Sequence, residues 1–200
     1  DEKMGYLTAY PTNLGTGLRA TVLLHLPALV ITQQISKIIN ISPQLGMTIR
    51  GLFGEDSLGN LFQASNQLTL GFKEEELIEN LSATVQEIIS HEHDARKALL
   101  NYSHDKLENR VWRSFGILKY AHSISQHEML NLVSKVRLGV DMGIIDETKA
   151  DILNLLLIAG QKNYLQNLNE MDNMTPQEIE KQRATTIRNI FSQLQNTPTP

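Results

Sequence analysis

The sequence contains no cysteine in its 200 residues. This absence excludes disulfide bonds, thiolate nucleophiles and thiolate metal sites, and it favours an intracellular protein. Basic residues number 18 against 22 acidic residues, a net charge of −4, which argues against a dedicated nucleic-acid-binding protein. No apolar run reaches membrane-spanning length, and the first residues show no signal-peptide pattern. The chain does not begin with methionine, which is compatible with a piece of a longer protein.

Apolar residues make up 41% of the chain and charged residues 20%, as in ordinary soluble domains, but their pattern changes along the chain. The first part predicts short strands separated by turns, at residues 5–10, 19–26, 47–53 and 61–70. Pro27 suits the first turn of a helix whose apolar positions continue to Ile39.

From residue 73 onward the apolar spacing is helical and predicts a long amphipathic helix over 73–99, a linker at 101–105 and a helix over 106–120. Further helices are predicted to begin at Ser125, near Asp146 and at Thr175. Capping boxes with Glu128 and Glu178 mark two of these starts. We therefore expect a mixed α/β part followed by an all-helical part, with the boundary near residues 100–105.

Residues 15–20, G-T-G-L-R-A, fit the G-x-G-x-x-A pattern of dinucleotide-binding loops. That fingerprint requires a helix after the glycines and an acidic residue about twenty positions later, whereas this sequence predicts a strand and has no such residue. Two interpretations stay open. The glycines can serve a tight turn with positive φ, or they can let an anion approach Arg19. Arg50, in T-I-R-G-L-F-G-E, repeats the combination of arginine and glycines.

The stretch H-E-H-D at residues 91–94 suggests a metal site at first sight. On a helix His91 and His93 point in different directions, and the H-E-x-x-H pattern is absent. A solvated helix face is the better interpretation. Trp112 is expected to pack in the helical core.

Three segments occur together in a characteristic order: G-Y-L-T-A-Y-P-T-N-L-G-T-G-L-R-A-T-V-L-L-H-L-P, then I-R-G-L-F-G-E, then S-N-Q-L-T-L-G. Together they resemble the ATP:guanido phosphotransferases. Residues 110–118 (R-V-W-R-S-F-G-I-L) and 134–145 (S-K-V-R-L-G-V-D-M-G-I-I) resemble the C-terminal domain of the protein arginine kinase branch of that family. The resemblance covers nearly the whole chain.

The resemblance implies an α+β fold. Residues 1–102 would be the C-terminal portion of the guanido kinase catalytic domain, an antiparallel sheet flanked by helices, and residues 103–200 a helical regulatory and dimerisation domain. It implies transfer of the γ-phosphoryl group of ATP to arginine guanidinium groups in proteins, with Mg²⁺ held through ATP or ADP and no dedicated protein metal site. The implied partners are arginine-bearing protein substrates, a zinc-finger activator, the Clp protease machinery and a second copy, in the cytoplasm, without nucleic acid or membrane.

The resemblance also assigns roles to residues of this chain. Arg19 and Arg50 would contact ATP phosphates, and Glu55 would be the catalytic carboxylate that binds the guanidinium and takes its proton. A guanidinium, with a pKa of about 12.5 or above, is a poor nucleophile and needs that help. The remaining nucleotide-site residues would be Ala20, Thr21, Val22, Leu23, Gly51, Leu52, Phe53 and Gly54.

Three features of the sequence depart from the family pattern. Tyr10 stands where the family usually has a cysteine, so we expect weaker catalysis or altered substrate handling. The loop after Glu55 is a little shorter. In I-E-K-Q-R-A, at residues 179–184, Arg183 and Ala184 match a phosphoarginine-pocket motif, while Glu180 replaces its aspartate and Ile179 its first arginine.

The family's N-terminal half, which supplies further arginines and an acidic segment, is not in this sequence. We therefore expect the isolated chain to transfer little phosphate. The alternative is a non-catalytic adaptor, a module that binds phosphoarginine or partner proteins and retains a kinase remnant.

Overall fold

A computed structural model describes residues 3, 7–8, 10, 13–54, 58–145, 150–168 and 174–195. The chain divides into two compact units, residues 1–99 and 100–200. The first unit contains an antiparallel sheet with helices, and the second consists of helices. The predicted α+β class is confirmed.

Three short antiparallel strands form the sheet of the first unit: β1 (Thr21–His25), β2 (Met47–Gly51) and β3 (Leu61–Asn66), in the order β1-β3-β2. Alternate residues of each strand face the core, as the sequence pattern predicts. The core face consists of Leu24, Met47, Ile49, Phe62 and Ala64, all buried. The opposite face carries the polar and exposed residues of the strands.

The strands end earlier than predicted, β2 at Gly51 and β3 at Asn66. At the end of β3 the reason is visible. The buried Asn66 side chain bonds to the backbone of Leu18, Ala20 and Leu68, which takes the place of a continuing ladder on the β1 side, while Gln67 N–H still donates to the Gly46 carbonyl beside β2. Of the predicted strand at 5–10, the described residues Leu7, Thr8 and Tyr10 lie in no strand, so the prediction is wrong there.

The predicted helix from Pro27 to Ile39 is two helices, α1 (Pro27–Ile31) and α2 (Ile35–Ile41). They separate at Gln33, whose φ of 58° is incompatible with a right-handed helix. A 3₁₀ turn (Ser42–Leu45) follows and ends at Gly46, whose φ of 68° directs the chain into β2. No residue type near Gln33 signals this break, because glutamine is an ordinary helix former.

Helix α3 (Glu74–Tyr120) has a kink inside the predicted linker at 101–105, so the linker is shorter than predicted. The helical geometry is interrupted at one residue, Ser103, with φ −146° and ψ 26°. Trp112 is 39% exposed and is not a core residue as expected, although its ring meets Phe115 edge to face. Phe115 in turn meets Phe191 edge to face in the core of the second unit.

Four further helices complete the second unit: α4 (Gln126–Asp141), α5 (Ala150–Ala159), α6 (Lys162–Leu168) and α7 (Pro176–Gln195). The predicted starts of α4 and α7 are confirmed. The Ser125 hydroxyl accepts a hydrogen bond from the backbone N–H of Glu128, and Thr175 and Glu178 cap each other reciprocally. Helix α6 was not predicted. The predicted start at Asp146 and the frayed tail at 196–200 lie outside the described residues.

None of the helices in the described ranges combines the length and the apolarity needed to cross a bilayer.

Candidate functional site

The glycine loop before β1 packs directly on the segment that follows β3. Gly15 has φ 92°, and a Cβ atom there would lie 2.4 Å from the carbonyl oxygen of Thr69. Gly17 also has positive φ, 66°. The buried Thr69 hydroxyl donates a 2.6 Å hydrogen bond to the carbonyl of Leu14. Only glycine satisfies both the backbone conformation and the close approach at position 15.

The segment after the loop is a strand, β1, so residues 15–20 do not form a dinucleotide-binding loop, as predicted. Instead the loop brings Arg19 to the beginning of β1. Asn66, which is 4% exposed, fixes the backbone on both sides of Arg19. Its side-chain oxygen accepts from Ala20 N–H at 2.8 Å, and its amide group donates to the Leu18 carbonyl at 2.9 Å.

The Arg19 side chain is exposed, and within the described part of the chain its guanidinium has no hydrogen bond or ion pair. Arg50, also exposed, lies on the face of the sheet opposite the core, where Leu23, Gln63 and Arg50 form one row across β1, β3 and β2. Its Nη2 donates a 3.4 Å hydrogen bond to Gln63 Oε1. Both guanidinium groups therefore keep donors available for a ligand.

The geometry of β-strands gives the approximate distance between Arg19 and Arg50. Two strand spacings separate β1 from β2, about 10 Å, and the four residues from Arg19 to Leu23 span roughly 13 Å of extended chain. The Cα atoms of Arg19 and Arg50 are therefore roughly 16 Å apart. Two long arginine side chains rooted at that distance suit an extended anion with several phosphates better than one small ion, because arginine binds phosphate oxygens through paired donors.

Comparison with known proteins agrees with this geometry. Residues 1–95 match the C-terminal catalytic domain of the ATP:guanido phosphotransferases, and residues 104–199 match the Protein-arginine kinase McsB C-terminal domain. The chain belongs to the ATP:guanido phosphotransferase family.

Among its relatives are proteins named protein-arginine kinase. The relative from Brevibacillus brevis is 47% identical over 190 residues, which are 94% of this chain and 53% of that protein. The relative from Halalkalibacterium halodurans is 48% identical over 190 residues, with the same coverage. The relative from Desulforamulus reducens is 44% identical over 197 residues, 98% of this chain and 55% of that protein. The chain thus spans about half the length of the curated relatives it matches.

The other predicted nucleotide residues of this guanido phosphotransferase chain do not all share one surface. Thr21 and Leu23 are exposed on the face that carries Arg50, whereas Val22 pairs with Ala64 in a row on the core face. The backbone N–H of Ala20 donates a hydrogen bond to the side chain of Asn66.

The segment after β2 keeps one further hydrogen bond to β3 before it leaves the sheet. The N–H of Leu52 still donates to the Leu61 carbonyl at 2.9 Å, beyond the last strand residue, Gly51. Phe53 and Gly54 are exposed, and Gly54 has φ 111°. Glu55, the predicted catalytic residue, lies outside the described residues.

Tyr10, at the position of the family cysteine, is exposed near the glycine loop. Its carbonyl accepts a 3.0 Å hydrogen bond from Asn13 N–H.

Of the predicted phosphoarginine residues, Arg183 and Ala184 are buried. Arg183 Nε donates to the Gly160 carbonyl at 2.7 Å, and Nη1 donates to the Ile124 carbonyl at 2.8 Å. Burial lowers the pKa of Arg183, and the charge of nearby Glu180 opposes that shift. Glu180 accepts a 3.2 Å hydrogen bond from the Ser123 hydroxyl. The three predicted residues thus lie close together, with the arginine bonded to backbone carbonyls.

Sequence reasoning missed Asn66 and Glu92. Asn66 lies in the family segment S-N-Q-L-T-L-G, and a polar residue at a core-facing strand position was the available signal. Glu92 belongs to the stretch interpreted as a solvated helix face. That interpretation is confirmed for His91 and His93, which are exposed. It is wrong for Glu92, whose side chain is only 4% exposed.

The Glu92 carboxylate accepts hydrogen bonds from the backbone N–H groups of Ala28 and Leu29 at 3.1 and 3.0 Å, and Arg96 Nε donates to it at 2.8 Å.

Within the described ranges, no group of three or more histidine, aspartate or glutamate side chains is arranged to hold a metal ion.

Proposed function

We propose that this chain forms the C-terminal part of an ATP-dependent protein arginine kinase and supplies an ATP-phosphate wall and a guanidinium-binding carboxylate. The observation that supports this proposal most directly is the pair of exposed arginines. Arg19 lies just before β1, at the edge of the sheet, and Arg50 lies on the face of the same sheet opposite the core. The relatives named protein-arginine kinase support the same function.

The donor set fits a polyphosphate. Arg19 has no partner within the described chain, and the backbone on both sides of it is fixed by Asn66. Phosphoryl transfer depends mainly on positioning and charge stabilisation, so arginines that are held in place before the ligand arrives are effective. When bound, MgATP supplies the phosphoryl group, and the metal is held through the nucleotide. Arg19 and Arg50 bind the phosphate oxygens. Thr21, Leu23 and residues 51–54 line the nucleotide.

Glu55 is proposed to orient the guanidinium of the substrate arginine and to take its proton. The carboxylate stabilises the planar cation before the reaction and accepts the proton as the nitrogen becomes a nucleophile. Tyr10 is proposed to slow the reaction, because a phenol with a pKa of about 10 is neutral at pH 7 and cannot supply the negative charge of a thiolate.

The proposed partners follow from the same family. They are proteins bearing accessible arginines, a zinc-finger activator protein and the Clp protease machinery, in the cytoplasm. The helical unit is proposed to form a homodimer and to hold phosphoarginine near Glu180, Arg183 and Ala184.

The proposal is tested by calorimetric titration of the full-length protein with MgADP. We expect Arg19→Ala and Arg50→Ala each to weaken binding by about 10-fold or more, since each removes a charged hydrogen bond to phosphate worth roughly 1.5–3 kcal/mol.

The matched control is Lys37→Ala. Lys37 is an exposed cation on α2, and Ile38 and Ile41 of α2 line a cavity together with Ile49, on the core side of the sheet. The control should bind MgADP like the unaltered protein. Failure of the unaltered full-length protein to bind MgADP would refute the proposal.

A further inference from the structure

A basic groove lies in the second unit, between the part of α3 after Ser103 and helix α4. Its volume is about 410 Å³. Four cationic side chains and two apolar ones dominate its lining: Lys106, Arg110, Arg113, Lys135, Ile117 and Leu132. No acidic residue lines it. In a chain with a net charge of −4, this is a local concentration of positive charge.

The four cations of the basic groove are not neutralised within the described chain. None of their side chains forms an ion pair or hydrogen bond there. Other cations of the chain do find partners: Lys97 pairs with Asp94 at 3.2 Å and Arg137 with Asp141 at 3.4 Å. Clustered like charges repel one another unless an anion lies among them. The groove therefore has the electrostatics of a binding surface for an anionic partner.

The length of the row of cations along α3 indicates what size of anion the groove can bind. Lys106, Arg110 and Arg113 follow one face of α3 at spacings of four and three residues, so the row is about 10 Å long at 1.5 Å per residue. A single phosphate cannot reach both ends. The groove also contains Ile117 and the buried Leu132, which offer apolar contact beside the charges. Nucleic acid is disfavoured by that apolar surface and by the acidic balance of the chain.

We propose that the basic groove binds an acidic peptide segment that carries an apolar side chain. Carboxylates spaced along the peptide pair with Lys106, Arg110, Arg113 and Lys135, and the apolar side chain contacts Ile117 and Leu132. The groove is separate from the proposed phosphoarginine residues Glu180, Arg183 and Ala184, because none of the three lines it. The proposal does not depend on the proposed kinase activity.

The test uses fluorescence anisotropy of a short labelled peptide of glutamates with one central leucine, titrated with the full-length protein. We expect Arg110→Ala/Arg113→Ala to weaken binding by about 10-fold, since each exposed charge pair contributes a factor of about 2 to 5. Arg113→Glu should weaken it further. The control is Lys162→Ala, which removes an exposed cation on α6 and should change binding less than about 2-fold.

Thermal unfolding followed by circular dichroism checks that the variants fold. Should the double variant fail to fold, Lys135→Gln and Lys106→Gln, measured singly, replace it. Binding that weakens as salt is raised supports the proposal. Equal binding of a peptide with glutamine in place of glutamate, equal weakening by Lys162→Ala, or tighter binding of inorganic phosphate or of a single-stranded oligonucleotide would overturn it.

Discussion

At the scale of single residues, Asn66 connects parts of the chain that are more than forty positions apart. It ends β3, and its side chain accepts from Ala20 N–H and donates to the Leu18 carbonyl. These bonds hold the two peptide groups that flank Arg19, so the direction of the Arg19 side chain depends on a residue that itself lies in the core. Asn66 is a positioning residue for the proposed phosphate site.

Replacing Asn66 should therefore weaken nucleotide binding without removing a phosphate contact. We expect Asn66→Ala to reduce MgADP affinity of the full-length protein by about 10-fold, and to lower stability by about 1–3 kcal/mol through the unpaired buried groups. The decisive measurement is a double-mutant cycle with Arg19→Ala. If Asn66 acts through Arg19, the double variant binds MgADP no more weakly than Arg19→Ala alone. Additive losses in the double variant would contradict this role.

Arg183 is a buried arginine whose guanidinium donates hydrogen bonds to backbone carbonyls inside the second unit. Two of its five N–H donors satisfy the carbonyls of Gly160 and Ile124, which lie in different connections between helices of the second unit. We expect Arg183→Ala to lower the free energy of unfolding by about 1–3 kcal/mol for each carbonyl left unpaired. Urea denaturation measures this loss. Arg188→Ala is an unsuitable control, because Arg188 itself bonds to the Ala121 carbonyl. Lys181→Ala, at an exposed position of α7, should leave the stability almost unchanged.

At the scale of elements, α1 is a helix of five residues, too short to be stable by itself. The Glu92 carboxylate of α3 satisfies two of its N-terminal N–H groups, and Arg96 compensates the buried charge. Carboxylates are favourable at helix N-termini because of the helix dipole. The position of α1, which follows β1 directly, thus depends on a distant helix.

Glu92→Ala should consequently be severe, with a loss of about 3–5 kcal/mol in the free energy of unfolding, because it leaves Arg96 and two backbone donors without this partner. Glu87→Ala, an exposed glutamate on the same helix, should cost less than about 1 kcal/mol. Urea denaturation of the two variants compares them directly. Equal losses would show that the buried carboxylate does not stabilise α1.

The start of α7 responds to pH through Glu178. A hydrogen bond from the Thr175 backbone N–H, and a second from the Thr175 hydroxyl, lower the pKa of Glu178 in the folded protein. A lowered pKa stabilises the fold above the unfolded-state pKa, and this contribution is lost as the pH falls through the folded-state pKa.

We therefore expect acid to weaken this cap in the pH range just below the ordinary glutamate pKa. Glu178→Gln should remove that part of the pH dependence and leave the rest of the acid profile unchanged. Thermal unfolding at a series of pH values measures it. An unchanged profile in Glu178→Gln would contradict the assignment.

At the scale of the whole molecule, the sequence predicts what depends on periodicity and local caps. The change from period-two to helical spacing near residue 73 predicts where the strands give way to helix, and α3 begins at Glu74. The starts of α1, α4 and α7 follow from Pro27, Ser125 and Thr175. The alternation of residue types also predicts Arg50 within one strand, where it lies, and Arg19 at the start of another, which begins two residues later at Thr21.

What the sequence does not predict depends on contacts between distant residues. Gln33 breaks a helical pattern at a residue type that favours helices, and Ser103 interrupts α3 at one residue where a five-residue linker was expected. Glu92 resembles a surface glutamate until its partners Ala28 and Leu29 are known. Asn66 is marked as unusual by its polar side chain at a core-facing strand position, but that signal does not name its partners at residues 18 and 20. These features arise from tertiary structure, which periodicity does not encode.

The close approach of Gly15 to Thr69 has a consequence for the order in which the molecule acquires its shape. The glycine loop is held by contacts to residues 66–70, so it cannot take its final conformation until β3 has paired with its neighbours. Contacts of such long sequence separation form late, because closing the intervening chain costs entropy. Arg19 then reaches its place only after the chain between residues 20 and 66 has closed, and a chain without that closure lacks the proposed phosphate site.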